Sequence, residues 1–217
     1  MRKKLWHIGI FAVAMAYLES AVVVYLRRIY NIFDLTTSLS RFDSQIAAIE
    51  VGRELMTLIM LLAVGWTVGK NLQSRVGFAI FTFGLWDIFY YIWLRFFIGW
   101  PTSFFNPDLL FLIPLPWWGP VISPILIAIL MVLGGAKAVL LDEQGTRIHF
   151  RAMGWLILTM GVMIILYSFM ADSLALLPAN LKMLSELKPT TFNWPLYIIG
   201  FVLIIFSVYR GTIQIKD

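Results

Sequence analysis

Mostly apolar stretches about as long as a bilayer is thick recur six times in this chain, over 5–26, 46–68, 76–98, 121–141, 152–170 and 194–209. A helix needs about 20 such residues to cross roughly 30 Å of hydrocarbon. In hydrocarbon, only helices and closed barrels satisfy their own backbone hydrogen bonds. The expected fold is therefore an all-α integral membrane protein, a bundle of about six transmembrane helices forming one polytopic domain over residues 1–217. Composition excludes most alternatives: 60% of residues are apolar and 13% charged, where soluble domains carry roughly 45–50% and about 25%. A soluble enzyme and a disordered tail are excluded. The absence of cysteine excludes a disulfide-stapled module and a thiolate metal site.

The first stretch follows Arg2, Lys3 and Lys4, and Ala14 and Ala16 form a small-x-small pattern as in a signal peptide. The apolar run continues through Val22, Val23 and Val24, so an uncleaved first helix is expected. With the N-terminus inside, the inner side holds Arg2, Lys3, Lys4, Lys70, Arg75, Lys137, Arg147, Arg151, Arg210 and Lys216. The outer side holds Arg27, Arg28, Arg41, Arg95, Lys182 and Lys188. The excess of inner Lys and Arg predicts cytoplasmic N- and C-termini, in a bacterial cytoplasmic membrane. Anchoring beside anionic lipid accounts for the net charge of +5 without nucleic acid.

The informative residues are ionisable groups inside apolar stretches, where a central charge costs about 2.5–3.5 kcal/mol on insertion scales. They are Glu19 in the first stretch, Glu50, Arg53 and Glu54 in the second, and Asp87 in the third. Glu50, Arg53, Glu54 and Thr57 follow i, i+3, i+4, i+7 on one helical face, and Asp87, Tyr91 and Arg95 follow i, i+4, i+8 on another. Glu19 and Arg27 share a face of the first helix. One shared cluster, opening to the outer side, is the economical arrangement. In it Arg53, Arg27 or Arg28, and Arg95 neutralise carboxylates bidentately, while Tyr17, Tyr90, Tyr91 and Trp86 supply further polar groups. The expected binding set is Glu19, Glu50, Arg53, Glu54, Asp87, Tyr91 and Arg95. The competing interpretation is that intramembrane Glu–Arg pairs only fix which helix packs on which.

No metal site and no cofactor are expected. His7 and His149 are the only histidines and both fall on the inner side, which excludes a bis-histidine haem within the membrane. No GxSxG is present and no histidine is placed to activate a serine. Glu50 and Glu54 form an ExxxE that resembles those of intramembrane pyrophosphatases and proteases, but their accompanying serine–arginine motif or additional histidines are missing.

Residues 99–120 read GWPTSFFNPDLLFLIPLPWWGP. Proline at this density prevents an uninterrupted helix, and the segment is too apolar for a water-exposed loop. An interfacial or re-entrant position is expected, with Trp100, Trp117 and Trp118 forming a lid over the polar cluster. Asn106 and Asp108 are placed to cap a short helical turn over 108–113. Asp172, just after the fifth stretch, is a further outer acid within reach of the same site. Trp86 and Asp87 followed by this Pro-rich segment resemble the small bacterial membrane lycopene cyclases, which also act through carboxylates. The proline-flanked carboxylate of that family has no counterpart in PLPWWGP, so its activity is not carried over.

Three functions remain open on the sequence. One is a binding or translocation protein whose carboxylate–arginine site takes a small solute, proton or cation. Another is a non-redox intramembrane enzyme acting on a lipid-linked or isoprenoid substrate, with Asp87 or Glu54 as acid–base. The third is an accessory subunit of a larger membrane complex. The expected partners are membrane lipids, a small polar or lipid ligand, and other membrane proteins or further copies of the chain.

Overall fold

The computed structural model describes residues 1–30, 44–178 and 191–213. Arg41, Lys182, Lys188 and Lys216, which entered the orientation count, lie outside the described residues. The chain is mostly helical: α1 (Arg2–Ile29), α2 (Ser44–Val68), α3 (Leu72–Ile98), α4 (Ile122–Glu143), α5 (Ala152–Ala175) and α6 (Trp194–Ile213). Five of these, α1, α3, α4, α5 and α6, are long and apolar enough to cross a membrane. α2 carries Glu50, Arg53 and Glu54 and is not among the five.

α3 is the central helix, and α1, α2 and α4 each pack along it. Its start is written in sequence as Asn71-Leu72-Gln73-Ser74. The Asn71 side chain accepts from the Ser74 backbone N–H at 3.1 Å, while the Ser74 hydroxyl accepts from the N–H groups of Asn71 and Lys70, so orphan donors at the N-terminus are satisfied. At the other end Gly99, at φ 69°, closes the helix with its N–H on the Arg95 carbonyl, and Pro101 follows. Close approach of α4 to α3 depends on missing side chains: a Cβ on Gly135 would lie 2.6 Å from the Gly77 carbonyl oxygen.

One end of the bundle gathers the start of α1, the α2–α3 turn, the α4–α5 connection and the end of α6. There the N-terminal ammonium pairs with Glu143, Lys4 donates to the Val68 carbonyl at 3.0 Å, and Asn71 donates to Asp142 at 2.6 Å. Gln73 reaches across to the 146–148 backbone, donating to the Thr146 carbonyl at 3.1 Å and accepting from the Ile148 N–H at 2.9 Å.

The opposite end holds two strands that the sequence reading did not foresee. β1 (Pro107–Phe111) and β2 (Trp117–Pro120) pair antiparallel, with Pro107 opposite Pro120 and an irregularity between Leu109 and Phe111. The helical turn expected over 108–113 is thus replaced by a strand and the start of its turn. The prolines at 107, 114, 116 and 120 remove donors that a helix would need, whereas Leu109, Phe111, Trp117 and Trp118 suit a pleated ribbon packed on both faces. Asn106 organises the preceding turn instead, its side-chain oxygen accepting from the Ser103 N–H at 2.7 Å. The hairpin's free carbonyls are met by side chains from the helices: Ser173 donates to Pro116 and Ser123 to Pro120, both at 2.6 Å. Non-helical backbone among apolar helices requires such partners.

α5 and α6 pack on each other and reach the rest chiefly through the hairpin. Phe169 and Tyr197 form the centre of that contact, and the Tyr197 hydroxyl donates to the Ser123 carbonyl at 2.7 Å.

Candidate functional site

Four helices present stripes of helical periodicity to one cavity. α1 contributes Glu19, Val23 and Arg27; α2 contributes Ala47, Glu50, Val51 and Glu54; α3 contributes Phe83, Trp86, Asp87, Tyr90 and Tyr91; α4 contributes Pro124, Ile127, Ala128 and Met131. The hairpin residues 108–114 and Trp117 complete the wall around a volume of about 480 Å³. Polar groups come from α1, α2, α3 and Asp108, while α4, Phe169 of α5 and most of the hairpin supply apolar surface.

The polar wall contains two separate ion-paired groups. In the first, Arg53 grips Glu50 bidentately, its Nε donating at 2.9 Å, and a second face of the guanidinium pairs with Glu19. The Thr57 hydroxyl donates to the remaining Glu19 oxygen at 3.2 Å. This is one cation held between two acids on neighbouring helices. In the second, Arg27 stands 3.7 Å from Asp108, and the Tyr91 hydroxyl donates to Asp108 at 3.0 Å. Asp108 is 1% exposed, and burial pushes its carboxyl up to about 6, against the opposing pull of Arg27, the Tyr91 hydroxyl and the Leu109 N–H. The Arg27 guanidinium also lies over the Trp100 ring, 4.2 Å from its centroid.

Two acids stand outside both groups. Glu54 accepts a hydrogen bond from the Leu112 backbone N–H at 2.8 Å. Asp87 lines the cavity and makes no hydrogen bond or ion pair to any described residue. Five carboxyl groups and two guanidinium groups therefore line one cavity. Trp86 and Trp117 line it as well, and their indole N–H groups find no acceptor among the described residues.

Of the residues singled out in the sequence, Glu19, Glu50, Arg53, Glu54, Asp87 and Tyr91 meet at this cavity. Arg95 does not: it is exposed and donates to the carbonyls of Gly99 and Pro101, so it ties off the end of α3 rather than neutralising a carboxylate. Arg28 is exposed, and Tyr17 packs on Trp93 and Phe97 outside the cavity wall. Of the lid tryptophans, Trp117 lines the cavity, Trp100 covers Arg27, and Trp118 lines a separate cavity that also holds Asp172. Asp108 and the Leu112 N–H are the site members that sequence reasoning missed. The signal was present in Asp108, a lone charge in PDLLFLIP, but its spacing suited a helix cap equally well.

Among the described residues no group of three or more His, Cys, Asp or Glu side chains is arranged to hold a metal ion. His7 bonds to the Lys3 carbonyl at the far end of α1. The chain is an integral membrane protein by the length and apolarity of its helices. Compared with protein-family models, curated proteins and solved structures, it finds no match.

Proposed function

We propose that this polytopic membrane protein binds, and in the course of its function exchanges or translocates, a small ligand in the interhelical cavity, with carboxyl groups as the recognition elements. The observation that carries this reading is the surplus of acid: among the described residues, five carboxyl groups against two guanidinium groups line one cavity. Helix-packing glue needs nothing beyond the Glu19–Arg53–Glu50 group. Asp87, without a partner among the described residues, and Glu54, with a single backbone donor among them, exceed that need. Buried charges left uncompensated are costly, so protons or a cationic group must balance the surplus.

In this reading α2 is the sixth span, both termini lie in the cytoplasm and the hairpin end faces outward. The concentration of Arg2, Lys3, Lys4, Lys70, Arg75, Arg147, Arg151 and Arg210 towards the other end supports that orientation. An enzymatic variant of the same reading has one specific support. Asp87 sits beside Trp86 in a cavity walled by aromatic rings, where a carboxyl can exchange a proton with an apolar substrate. The acid surplus disfavours a lipid-linked diphosphate as that substrate.

The test is proton exchange on cation binding. Purified full-length protein is titrated with sodium, potassium and tetramethylammonium chloride in weakly buffered solution, with a pH dye as reporter. At least one cation is expected to displace protons, and Asp87→Asn and Glu54→Gln are each expected to reduce the release while retaining helical circular dichroism. Folded variants that release as many protons as the parent would defeat the reading, as would a parent that releases none.

A further inference from the structure

We propose, building on the reading of this cavity as a ligand site, that it takes from the lipid phase an amphiphile bearing a positively charged organic ammonium headgroup. Three independent features of the cavity converge on that chemistry. The first is charge. A phosphate or carboxylate headgroup would add to an existing surplus of acids, whereas an ammonium group relieves it.

The second feature is the aromatic wall facing the same space. The Phe111 ring centroid lies 6.4 Å from those of both Phe83 and Trp86, and 5.3 Å from that of Trp117. All four rings line the cavity together with Asp87 and Glu54. Carboxylates combined with aromatic faces suit an alkylated ammonium, whose charge is diffuse and whose methyl groups are apolar. A hydrated metal ion instead asks for several converging oxygen ligands, and the described residues offer no such group.

The third feature is the route. α2 and α4 both line the cavity, through Val51 and Glu54 on one side and Ile127 and Met131 on the other. Each packs along α3, yet they do not pack extensively on one another. Among the described residues no helix–helix seam closes the cavity between them, and Val51 on the α2 side is 39% exposed. A headgroup can reach the carboxyl groups through this gap while its alkyl chain stays among lipid tails. A water-soluble solute gains nothing from such an opening, whereas an amphiphile gains the burial of its chain.

The experiment compares four probes on the full-length protein in nonionic maltoside micelles, by calorimetry against protein-free micelles. The probes are dodecyltrimethylammonium, dodecanol, dodecyl phosphate and tetramethylammonium. Dodecyltrimethylammonium is expected to bind about tenfold or more tightly than dodecanol, as an ammonium set among aromatic rings and carboxylates predicts, with dodecyl phosphate weakest. Asp87→Asn is expected to erase most of the preference over dodecanol. Val51→Trp, which narrows the gap, is expected to weaken dodecyltrimethylammonium about fivefold, the order of a partly lost alkyl contact. Equal binding of dodecanol and dodecyltrimethylammonium would overturn the ammonium assignment and leave the ligand site standing. Tetramethylammonium binding as tightly as the dodecyl compound would overturn access from the lipid. If no probe binds and no cation displaces protons, both the inference and the site fail. Should Asp87→Asn not fold, the ranking of the probes on the parent protein decides alone.

Discussion

The backbone N–H of Leu112 donates to the carboxylate of Glu54 at 2.8 Å, joining the turn of the hairpin to the second helix across 58 positions of sequence. This bond is where the proline-rich segment meets the charged half of α2. Glu54 is 8% exposed, so losing its acceptor would strand a buried donor. Glu54→Leu is expected to cost about 1–3 kcal/mol, the desolvation penalty of an unmet N–H. Glu54→Gln retains an acceptor oxygen and is expected to cost less than half as much. Thermal unfolding in detergent, followed by circular dichroism, ranks the two.

Arg53 lies between Glu19 and Glu50, and removing it leaves two partly buried acids on adjacent helices without their cation. Arg53→Leu is expected to destabilise by about 3 kcal/mol, the low end of the cost of breaking a fully buried ion pair. Arg53→Lys retains the charge but not the bidentate grip, and an intermediate loss is expected. The triple replacement Glu19→Gln, Glu50→Gln and Arg53→Met removes every charge in the group. It should be more stable than Arg53→Leu alone; a triple variant as unstable as the single one would refute the electrostatic explanation.

Neighbouring glycines in α4 give a clean contrast. A Cβ on Gly135 would meet the Gly77 carbonyl oxygen at 2.6 Å and the Phe81 backbone, whereas one on Gly134 meets nothing within 4 Å. Gly135→Ala is expected to cost about 1–3 kcal/mol by forcing α3 and α4 apart. Gly134→Ala should be neutral or stabilising by up to about 1 kcal/mol through helix propensity. Melting temperatures of the two variants separate backbone approach from generic glycine effects.

Asp108 makes a pH prediction. Its folded-state carboxyl is raised to about 6 from an ordinary 3.8, so the folded protein binds a proton that the unfolded chain has already lost in this window. Its contribution to stability is therefore greatest at pH 4 and below, and falls as pH rises to about 6. The loss is on the order of 2–3 kcal/mol. Asp108→Asn keeps an oxygen for the Tyr91 hydroxyl but cannot titrate, and it should flatten the pH dependence of unfolding between pH 4 and 6. An unchanged slope in that variant would assign the pH dependence to other groups.

Much of the site was legible because its helical parts follow local rules. Glu50, Arg53 and Glu54 fall on one face at spacings of three and four, and the cost of charge in an apolar run marks them without any knowledge of packing. The same rules misassigned Arg95. Its i+8 spacing from Asp87 puts both on one face, but the carbonyls of Gly99 and Pro101 lie closer to its reach than any acid does. Asp108 was misassigned for a related reason. An acid before an apolar run satisfies the pattern of a cap, and only the pairing of β1 with β2 turns it towards Arg27 and Tyr91.

Taken alone, the recurring apolar stretches determined the solvent of this protein, its helical character and the few places where charge demands an explanation. These follow from chain length, side-chain hydropathy and the 3.6-residue repeat, all properties of neighbouring residues. The tertiary structure decided the rest. Arg27 meets Asp108, Glu54 meets Leu112, and Asp87 faces open space because α3 carries three helices while α2 and α4 stay apart. Contacts between residues distant in sequence depend on how closely backbones approach, as at Gly77 and Gly135, and no local spacing encodes that distance.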